Sequence, residues 1–214
     1  MSSEDRPLSD INYIEMNGNV DLMIHPDTFN HIRVNAGSHL ISEITTSVSN
    51  GKLTVKNKNK CNWVRDFHPD IQVEVWVKSI NGITFTNSTG NLETTDSIRA
   101  DYFDFEVFGS IGTYHLKFKT NTLKLAINNG PSDLTAIGKT DLLYLFAVGF
   151  GKVDCLGLDV GDIYMTNKGT NSNSVNVSHK LDATIIGSGN IYYKGNPPTL
   201  TKNIIGSGQL IHLQ

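Results

Sequence analysis

Two near-copies of one short sequence close the chain. Residues 181–195 read LDATIIGSGNIYYKG, and residues 200–214 read LTKNIIGSGQLIHLQ. Glycine-rich loops that hold phosphate stand between a strand and a helix. Here each GSG is followed by the alternating apolar residues that are typical of a strand. The repeat therefore predicts a corner between strands, and it argues against a phosphate site.

The same kind of corner recurs upstream at an even interval. Successive corners are 18 to 20 residues apart and lie near Thr89, Gly109, Asn129, Gly149, Gly169, Gly187 and Gly206. A solenoid requires such spacing, because each coil completes the same circuit before it stacks on the previous one. At these corners we expect glycine to supply a positive φ without steric cost.

The stretches between the corners alternate between apolar and polar residues. Examples are IQVEVWV at 71–77, DYFDFEVF at 101–108 and TLKLAI at 122–127. Aligning the corners superimposes apolar positions, except that Lys202 falls opposite Ala183 and His212 opposite Tyr193 near the end of the chain. No segment sustains a helical period. The prediction is an all-β, right-handed parallel β-helix with coils of about 20 residues and little or no helix.

The N-terminal third is less regular. We expect residues 1–10 to be disordered or extended, and residues 11–214 to form one solenoid domain, with 11–70 less regular than the coils of 71–214. Asn50-Gly51 is typical of a hairpin turn, and Asn81-Gly82 is a candidate for a second one. An antiparallel capping sheet is therefore an alternative to further coils at this end. The polar run 168–174 predicts a protruding loop.

Composition excludes some classes of function. The chain has 18 Lys and Arg against 21 Asp and Glu, a net charge of -3, so nucleic acid is not an expected partner. The longest apolar run, at 142–148, is too short to cross a membrane. Only 18% of residues are charged, and the abundance of Asn, Ser, Thr and Gly favours an exported β-protein. Because no signal peptide is visible, we expect any export signal to lie outside this chain.

The densest group of reactive side chains is CNWVRDFHPD at 61–70. It could hold a metal, but no second Cys/His pair stands at ligand spacing, so we predict no metal site. The alternative is a structured connection that covers one end of the core. Cys61 and Cys155 either form a disulfide or remain two thiols. Candidate residues for a ligand or partner surface are Trp63, Arg65, Phe67, His68, Tyr164 and Tyr192.

Catalytic patterns are missing from the sequence. No G-x-S-x-G elbow occurs, and the outward strand positions are mainly Asn, Thr, Ser and Lys. Glycan-cleaving β-helix enzymes need clustered acids, and Asp154 and Asp162 are candidates only by elimination. We predict no catalytic residue and no cofactor.

One motif near the end carries a family resemblance. A GSG corner followed by I-x-Y-x-G-x-P occupies Gly187 to Pro197, and NGNVDLMI, TTSVSNGKLTV and NKCNWVR occur near the start. Together they resemble the family described as putative auto-transporter adhesin, head GIN domain. The resemblance implies a β-helix-like fold in exported, often lipid-anchored, envelope proteins of Bacteroidetes-like bacteria. It brings no catalytic residue with it.

Three hypotheses for function follow. The first is a non-enzymatic scaffold of the cell envelope or outer surface, which acts in adhesion by binding a protein or glycan at the cell surface. The second is a carbohydrate- or lipid-binding module, and the third is a glycan-cleaving enzyme. We expect membrane attachment only through a lipid anchor outside this chain, and the sequence leaves the oligomeric state open.

Overall fold

The protein is all-β. A computed structural model describes residues 1–59 and 71–214, and the predictions for residues 60–70 lie outside this range. Seventeen strands of the described residues join in one continuous sheet. The strands are β1 Ser2–Arg6, β2 Tyr13–Asn17, β3 Asp21–Pro26, β4 His31–Ala36, β5 Ile44–Ser49, β6 Lys52–Asn57, β7 Gln72–Val77, β8 Gly82–Thr86, β9 Leu92–Thr94, β10 Ile98–Phe108, β11 Thr113–Ile127, β12 Asp133–Ala147, β13 Val153–Asn167, β14 Asn173–Ile185, β15 Ile191–Lys194, β16 Thr199–Ile204 and β17 Leu210–His212. A 3-10 turn spans Ile41–Glu43.

The strands from β10 onward stack in parallel, one coil on the next. Ile98 pairs with Phe118, Thr113 with Asp133, and Lys180 with Thr199. Coils of about 20 residues are thus confirmed, as is the parallel solenoid. The exceptions near the end are also confirmed, because Lys202 pairs with Ala183 and His212 with Tyr193.

Each coil contributes to two ladders, which we call ladder A and ladder B. Ladder A joins β5, β6, β2 and β8 to the C-terminal halves of β10 to β14, and it ends at β16. Ladder B joins β1, β4, β7, β3 and β9 to the N-terminal halves of β11 to β14, and it ends at β15 and β17. In β11 the pairing skips Asn121, where the strand bends from ladder B to ladder A.

The inner sides of the two ladders pack against each other and form the core. The ring of Phe103 in ladder A lies 5.3 Å from that of Phe118 in ladder B, measured between centroids. Phe105 and Tyr114 make a similar contact at 5.2 Å. All four residues are fully buried, and one continuous apolar cluster extends from Ile11 to Ile191. Side chains that alternate along each strand therefore fill the interior of the solenoid.

An antiparallel cap closes the N-terminal end. Strands β5 and β6 form a hairpin at Asn50-Gly51, whose φ angles of 50° and 74° are those that such a turn requires. Strand β4 pairs antiparallel with β7, and β1 pairs antiparallel with β4. The predicted hairpin at Asn50 is confirmed, and the capping sheet is present.

The chain does not lay down its first coils in sequence order. Tyr13 of β2 pairs with Lys52 of β6 on one side and with Gly82 of β8 on the other. The predicted hairpin at Asn81-Gly82 is therefore wrong. Residue 82 begins a strand that runs parallel to β2, because the chain passes from ladder B to ladder A at this point.

The corner glycines serve two different purposes. Gly109, Gly130 and Gly149 have positive φ angles of 57°, 93° and 121°, as predicted. The prediction of a positive φ is wrong for the corner glycine Gly169. It is also wrong for Gly187 and Gly206, in the two IIGSG corners. There a β-carbon would lie 2.0 Å and 2.2 Å from a carbonyl oxygen of the preceding coil, so glycine is required by close packing.

The predicted protruding loop at 168–174 is also wrong. The segment makes an ordinary corner, and residues 173 and 174 already belong to β14 and are buried. The buried Asn167 side chain bonds to the backbone of Gly169 and Gly189 at 3.0 Å and 2.9 Å. Asn173 accepts a bond from the Val153 amide at 2.8 Å. Hydrogen bonds from these polar side chains to the backbone thus take the place of backbone–backbone hydrogen bonds inside the corner.

Candidate partner-binding face

The outward side of ladder A carries most of the tyrosines that are exposed or half-buried. Its alternate residues point away from the core and line up from coil to coil. One row contains Asp104, Lys124, Tyr144 and Tyr164 in register. We call the following set the tyrosine face: Tyr13, Tyr102, Asp104, Glu106, Lys124, Tyr144, Tyr164 and Lys180.

Tyr144 and Tyr164 form an exposed aromatic platform at its centre. Their rings are stacked with centroids 5.5 Å apart and an angle of 18° between the ring planes. The residues remain 45% and 38% exposed. The Lys180 ammonium lies 4.5 Å from the Tyr164 ring centroid and donates a bond of 2.9 Å to the Tyr164 hydroxyl. Cross-strand packing therefore fixes the orientation of both rings before any partner binds.

A charged cluster adjoins the platform. The Lys124 ammonium donates to Glu106 at 2.6 Å and to Asp104 at 3.2 Å. Burial alone would lower the pKa of Lys124, but the bonds and charges of the two carboxylates raise it to about 12. Burial and the neighbouring Glu106 raise the pKa of Asp104, and Lys124 offsets this only in part. The buried Oδ1 of Asp104 has no hydrogen-bond donor among the described residues.

Tyr13 extends the face toward the cap. Its ring lies over Gly82, where a β-carbon would come within 2.2 Å of Tyr13 Cε2. Its hydroxyl lies 2.7 Å from Thr84 Oγ1. Burial raises the pKa of Tyr13, and burial followed by the charge of Asp104 raises the pKa of Tyr102. Gly82 is therefore needed for the close approach of an aromatic ring from the neighbouring strand.

Comparison with known proteins identifies the family of this chain. The sequence model of the family described as putative auto-transporter adhesin, head GIN domain, matches residues 10–197. The chain belongs to this family. No curated protein matches the chain in sequence.

Solved structures of other proteins share the fold of this head GIN domain. A putative adhesin from Bacteroides fragilis has 18% identity and a TM-score of 0.87, and the match covers 99% of this chain and 96% of that one. A putative adhesin from Parabacteroides merdae has 20% identity and a TM-score of 0.68, with coverage of 100% and 96%. A putative lipid binding protein from Parabacteroides distasonis has 18% identity and a TM-score of 0.74, with coverage of 100% and 96%. At sequence identities of 18 to 20%, the similarity to these structures shows a shared fold and nothing more.

Of the site residues predicted from the sequence, the structure describes Tyr164 and Tyr192, which lie on different ladders of this head GIN domain. Tyr164 lies on the tyrosine face, whereas Tyr192 lies on the outward side of ladder B, where it pairs with Ser174. The predictions for Trp63, Arg65, Phe67 and His68, and for a disulfide with Cys61, lie outside the described residues. Burial raises the pKa of the Cys155 thiol to about 12.

Sequence reasoning missed Trp76, the central residue of a second aromatic cluster. His25 stacks on the Trp76 ring with centroids 4.4 Å apart, and His31 contacts it at 5.1 Å. The Arg33 guanidinium lies 5.8 Å from the same ring. These contacts join the cap strand β4 to β7 and β3 and cover much of the ring, so the cluster stabilises the cap. The alternation in IQVEVWV is the signal that places Trp76 outward.

The described residues form no metal site, and no helix among them is long and apolar enough to cross a membrane. The two acids considered for catalysis are not brought together, because Asp154 pairs in ladder B and Asp162 in ladder A. Asp154 accepts bonds from Leu156, Lys152 and Ser174, which outweigh its burial and lower its pKa. A general acid requires the opposite shift.

Proposed function

We propose that this head GIN domain is a non-enzymatic adhesin-type scaffold that contacts its partner through the tyrosine face. The observation that carries the proposal is the exposed stack of Tyr144 and Tyr164. Tyrosine combines a large apolar surface with a polar hydroxyl and loses little conformational entropy on binding. Two such rings, already held in place, are typical of residues that contribute most to an interface.

The charged groups around the platform support recognition of a polar partner. Lys180 touches Tyr164, and the Lys124 cluster lies in the same rows of ladder A. Charged groups at the rim of an interface select between partners and guide their association. The face therefore offers an aromatic centre with a charged rim.

A carbohydrate ligand is the second candidate, and the same stack favours it. The apolar side of a sugar ring packs on an exposed aromatic ring, while carboxylates and lysines bond to its hydroxyls. Asp104, Glu106 and Lys124 lie close enough to Tyr102 for their charges to affect its pKa. A protein partner and a glycan partner would therefore use the same surface.

A lipid ligand is a third candidate, favoured by a different surface. One structural neighbour is described as a putative lipid binding protein. In this chain Ile111 and Phe150, which are 55% and 66% exposed, lie on the glycine corners. That row of apolar side chains would contact an acyl chain.

Catalysis is less well supported than binding. Asp104 and Glu106 are adjacent outward carboxyls, and the raised pKa of Asp104 is compatible with an acid. Both are bonded to Lys124, which acts as a fixed counter-charge. The buried Oδ1 of Asp104 is closed to a substrate. We therefore infer that the cluster positions the face and that the protein is not an enzyme.

We place the protein outside the cytoplasm, in the envelope or on the outer surface. Membership of an adhesin family supports this location. A lipid anchor outside this chain remains our expectation for membrane attachment.

Adhesion of protein-coated beads to mucus-coated and epithelial-cell surfaces tests the proposal. Beads that carry the double variant Tyr144→Ser/Tyr164→Ser should bind at least about fivefold less than wild-type beads, since central aromatic contacts each contribute 1 kcal/mol or more, roughly. Tyr192→Ser is the matched control, because it removes a tyrosine from ladder B, and it should bind like the wild type. Equal binding by the double variant and the wild type would contradict the proposal.

Enzymatic or chemical treatment of the target surface distinguishes a protein partner from a glycan partner. Loss of binding after protease digestion supports a protein partner, and loss after periodate oxidation supports a glycan. Sedimentation of the protein with phosphatidylcholine vesicles, abolished in Phe150→Ser, would instead support the lipid candidate.

A further inference from the structure

A polar groove runs along the bend between the two ladders, on the edge of the solenoid away from the glycine corners. It consists of four cavities of about 380, 270, 520 and 370 Å³. Neighbouring cavities share lining residues, namely Lys78 and Ser79, then Arg99, then Lys139 and Asp141. The cavities therefore follow one another along the solenoid axis, and we call this set of adjacent cavities the bend groove.

One wall of the bend groove is a row of cations. Arg99 pairs in register with Lys119, and Lys119 with Lys139. All three are exposed. In residues 1–59 and 71–214, no carboxylate lies within ion-pair distance of any of them. The row ends at Asp159, which pairs in register with Lys139. Like charges on adjacent strands destabilise a sheet, so the pairings of Arg99 with Lys119 and of Lys119 with Lys139 oppose folding.

The opposite wall carries hydrogen-bonding side chains at the same spacing. The flanking pairs Ala100–Thr120 and Thr120–Thr140 align Asp101, Asn121 and Asp141. Asn121 donates to Asp101 at 2.9 Å. Between the walls the buried hydroxyls of Thr120 and Thr140 bond to each other at 3.0 Å and make the floor rigid.

We propose that the bend groove binds a linear polysaccharide that bears carboxylate groups. The cation row would bind the carboxylates, and the row of Asp101, Asn121 and Asp141 would bond to hydroxyls. Adjacent coils are about 4.8 Å apart, so the cations of the row, and the polar groups opposite them, repeat at a short and regular interval along an extended chain. The site is separate from the tyrosine face and goes beyond the function proposed above.

The lining favours a glycan over an extended peptide. Peptides that bind in extended form add a strand to a free sheet edge or place side chains in apolar pockets. Ladder pairing continues on both sides of the bend groove, so no strand edge is free there. The walls present ammonium, guanidinium, carboxylate and carboxamide groups, which match the carboxylates and hydroxyls of an acidic sugar chain.

Binding of the purified protein to polygalacturonate, alginate and hyaluronate, measured by calorimetry, tests the proposal. At least one of the three should bind. The variant Lys119→Gln/Lys139→Gln should weaken that binding at least about tenfold, because it removes two charge-assisted contacts. Lys56→Gln/Lys168→Gln changes the net charge equally at exposed residues outside the bend groove and should bind like the wild type. For polygalacturonate, the methyl-esterified polymer is the matched neutral ligand and should not bind.

A second variant separates glycan recognition from simple attraction of polyanions. Removing two acidic groups with Asp101→Ala/Asp141→Ala would strengthen a purely electrostatic interaction, whereas loss of hydroxyl contacts weakens glycan binding. We expect weaker binding. Stronger binding, equal affinity for polyglutamate, or failure of all three polysaccharides to bind would overturn the proposal. None of these variants alters the tyrosine face, so failure here and failure of the adhesion test are distinguishable.

Discussion

At the scale of single residues, the glycines of the IIGSG corners are required by the coil beneath them. A β-carbon at residue 187 would lie 2.0 Å from the Gly169 carbonyl oxygen and 2.6 Å from that of Lys168. Both obstacles are backbone atoms, which cannot move without disturbing the ladder. We expect Gly187→Ala to lower the free energy of unfolding by about 3 kcal/mol or more, at the upper end of the cost of overpacking. Urea unfolding measures the effect.

The exposed Ser188 in the same corner provides the control for Gly187. Ser188→Ala should change the free energy of unfolding by less than about 0.5 kcal/mol, as is usual for a surface position. Equal stability of Gly187→Ala and the wild type would show that the corner can open to admit a methyl group.

Asp104 gives a pH-dependent prediction at the same scale. Its pKa is raised in the folded protein by burial and by Glu106, so the ionised form costs stability above the folded pKa. That cost disappears as the pH falls below the ordinary carboxyl pKa, because the side chain is then protonated in both states. Asp104→Asn should therefore raise the melting temperature at pH 7 and change it little at pH 3.5. A lower melting temperature at pH 7 would mean that the bond to Lys124 outweighs the burial.

At the scale of elements, the last strand leaves the solenoid with an open edge. In β16, Leu200 and Ile204 are 45% and 43% exposed, because no further coil among the described residues covers them. Lys202 lies between them in the inward row, opposite Ala183. A charge that points inward on an edge strand prevents the strand from pairing with another sheet. We expect Lys202 to disfavour pairing of β16 with a strand of a second copy of the chain.

Removal of this charge should promote self-association. We expect Lys202→Val to form dimers or larger species, detected by sedimentation velocity, at concentrations where the wild type does not. Thr201→Val adds the same side chain to the outward side of β16 and should leave the sedimentation coefficient unchanged. Association of both variants would indicate a general effect of surface apolarity.

At the scale of the whole molecule, stacked coils convert single positions into rows. A residue type repeated once per coil becomes a line of identical groups about 4.8 Å apart. Tyr144 with Tyr164, and Lys119 with Lys139, arise in this way. An extended partner can therefore bind several equivalent groups, and its affinity then increases with the number of coils that it contacts. This property of the fold agrees with a function in adhesion.

The sequence by itself determined the regular part of the solenoid. The corner spacing fixed the coil length, and the alignment of corners placed Leu143, Leu181 and Ile185 in inward rows, as the ladder pairings confirm. These features could be predicted from the sequence because each repeat lies within about 20 consecutive residues. Each coil carries its own alternation and its own corner, and the next coil copies both. Tyr164 was also predicted to point outward, and it does.

Only the tertiary structure decided the order of the first coils and the composition of the surfaces. Strand β2 lies between β6 and β8, and no local signal marks a pairing between Tyr13 and Gly82. The raised pKa of Asp104 arises from its burial and from Glu106, and the cation row depends on the register of three strands. The physical reason is the same in each case: side chains far apart in sequence meet only after the coils have stacked.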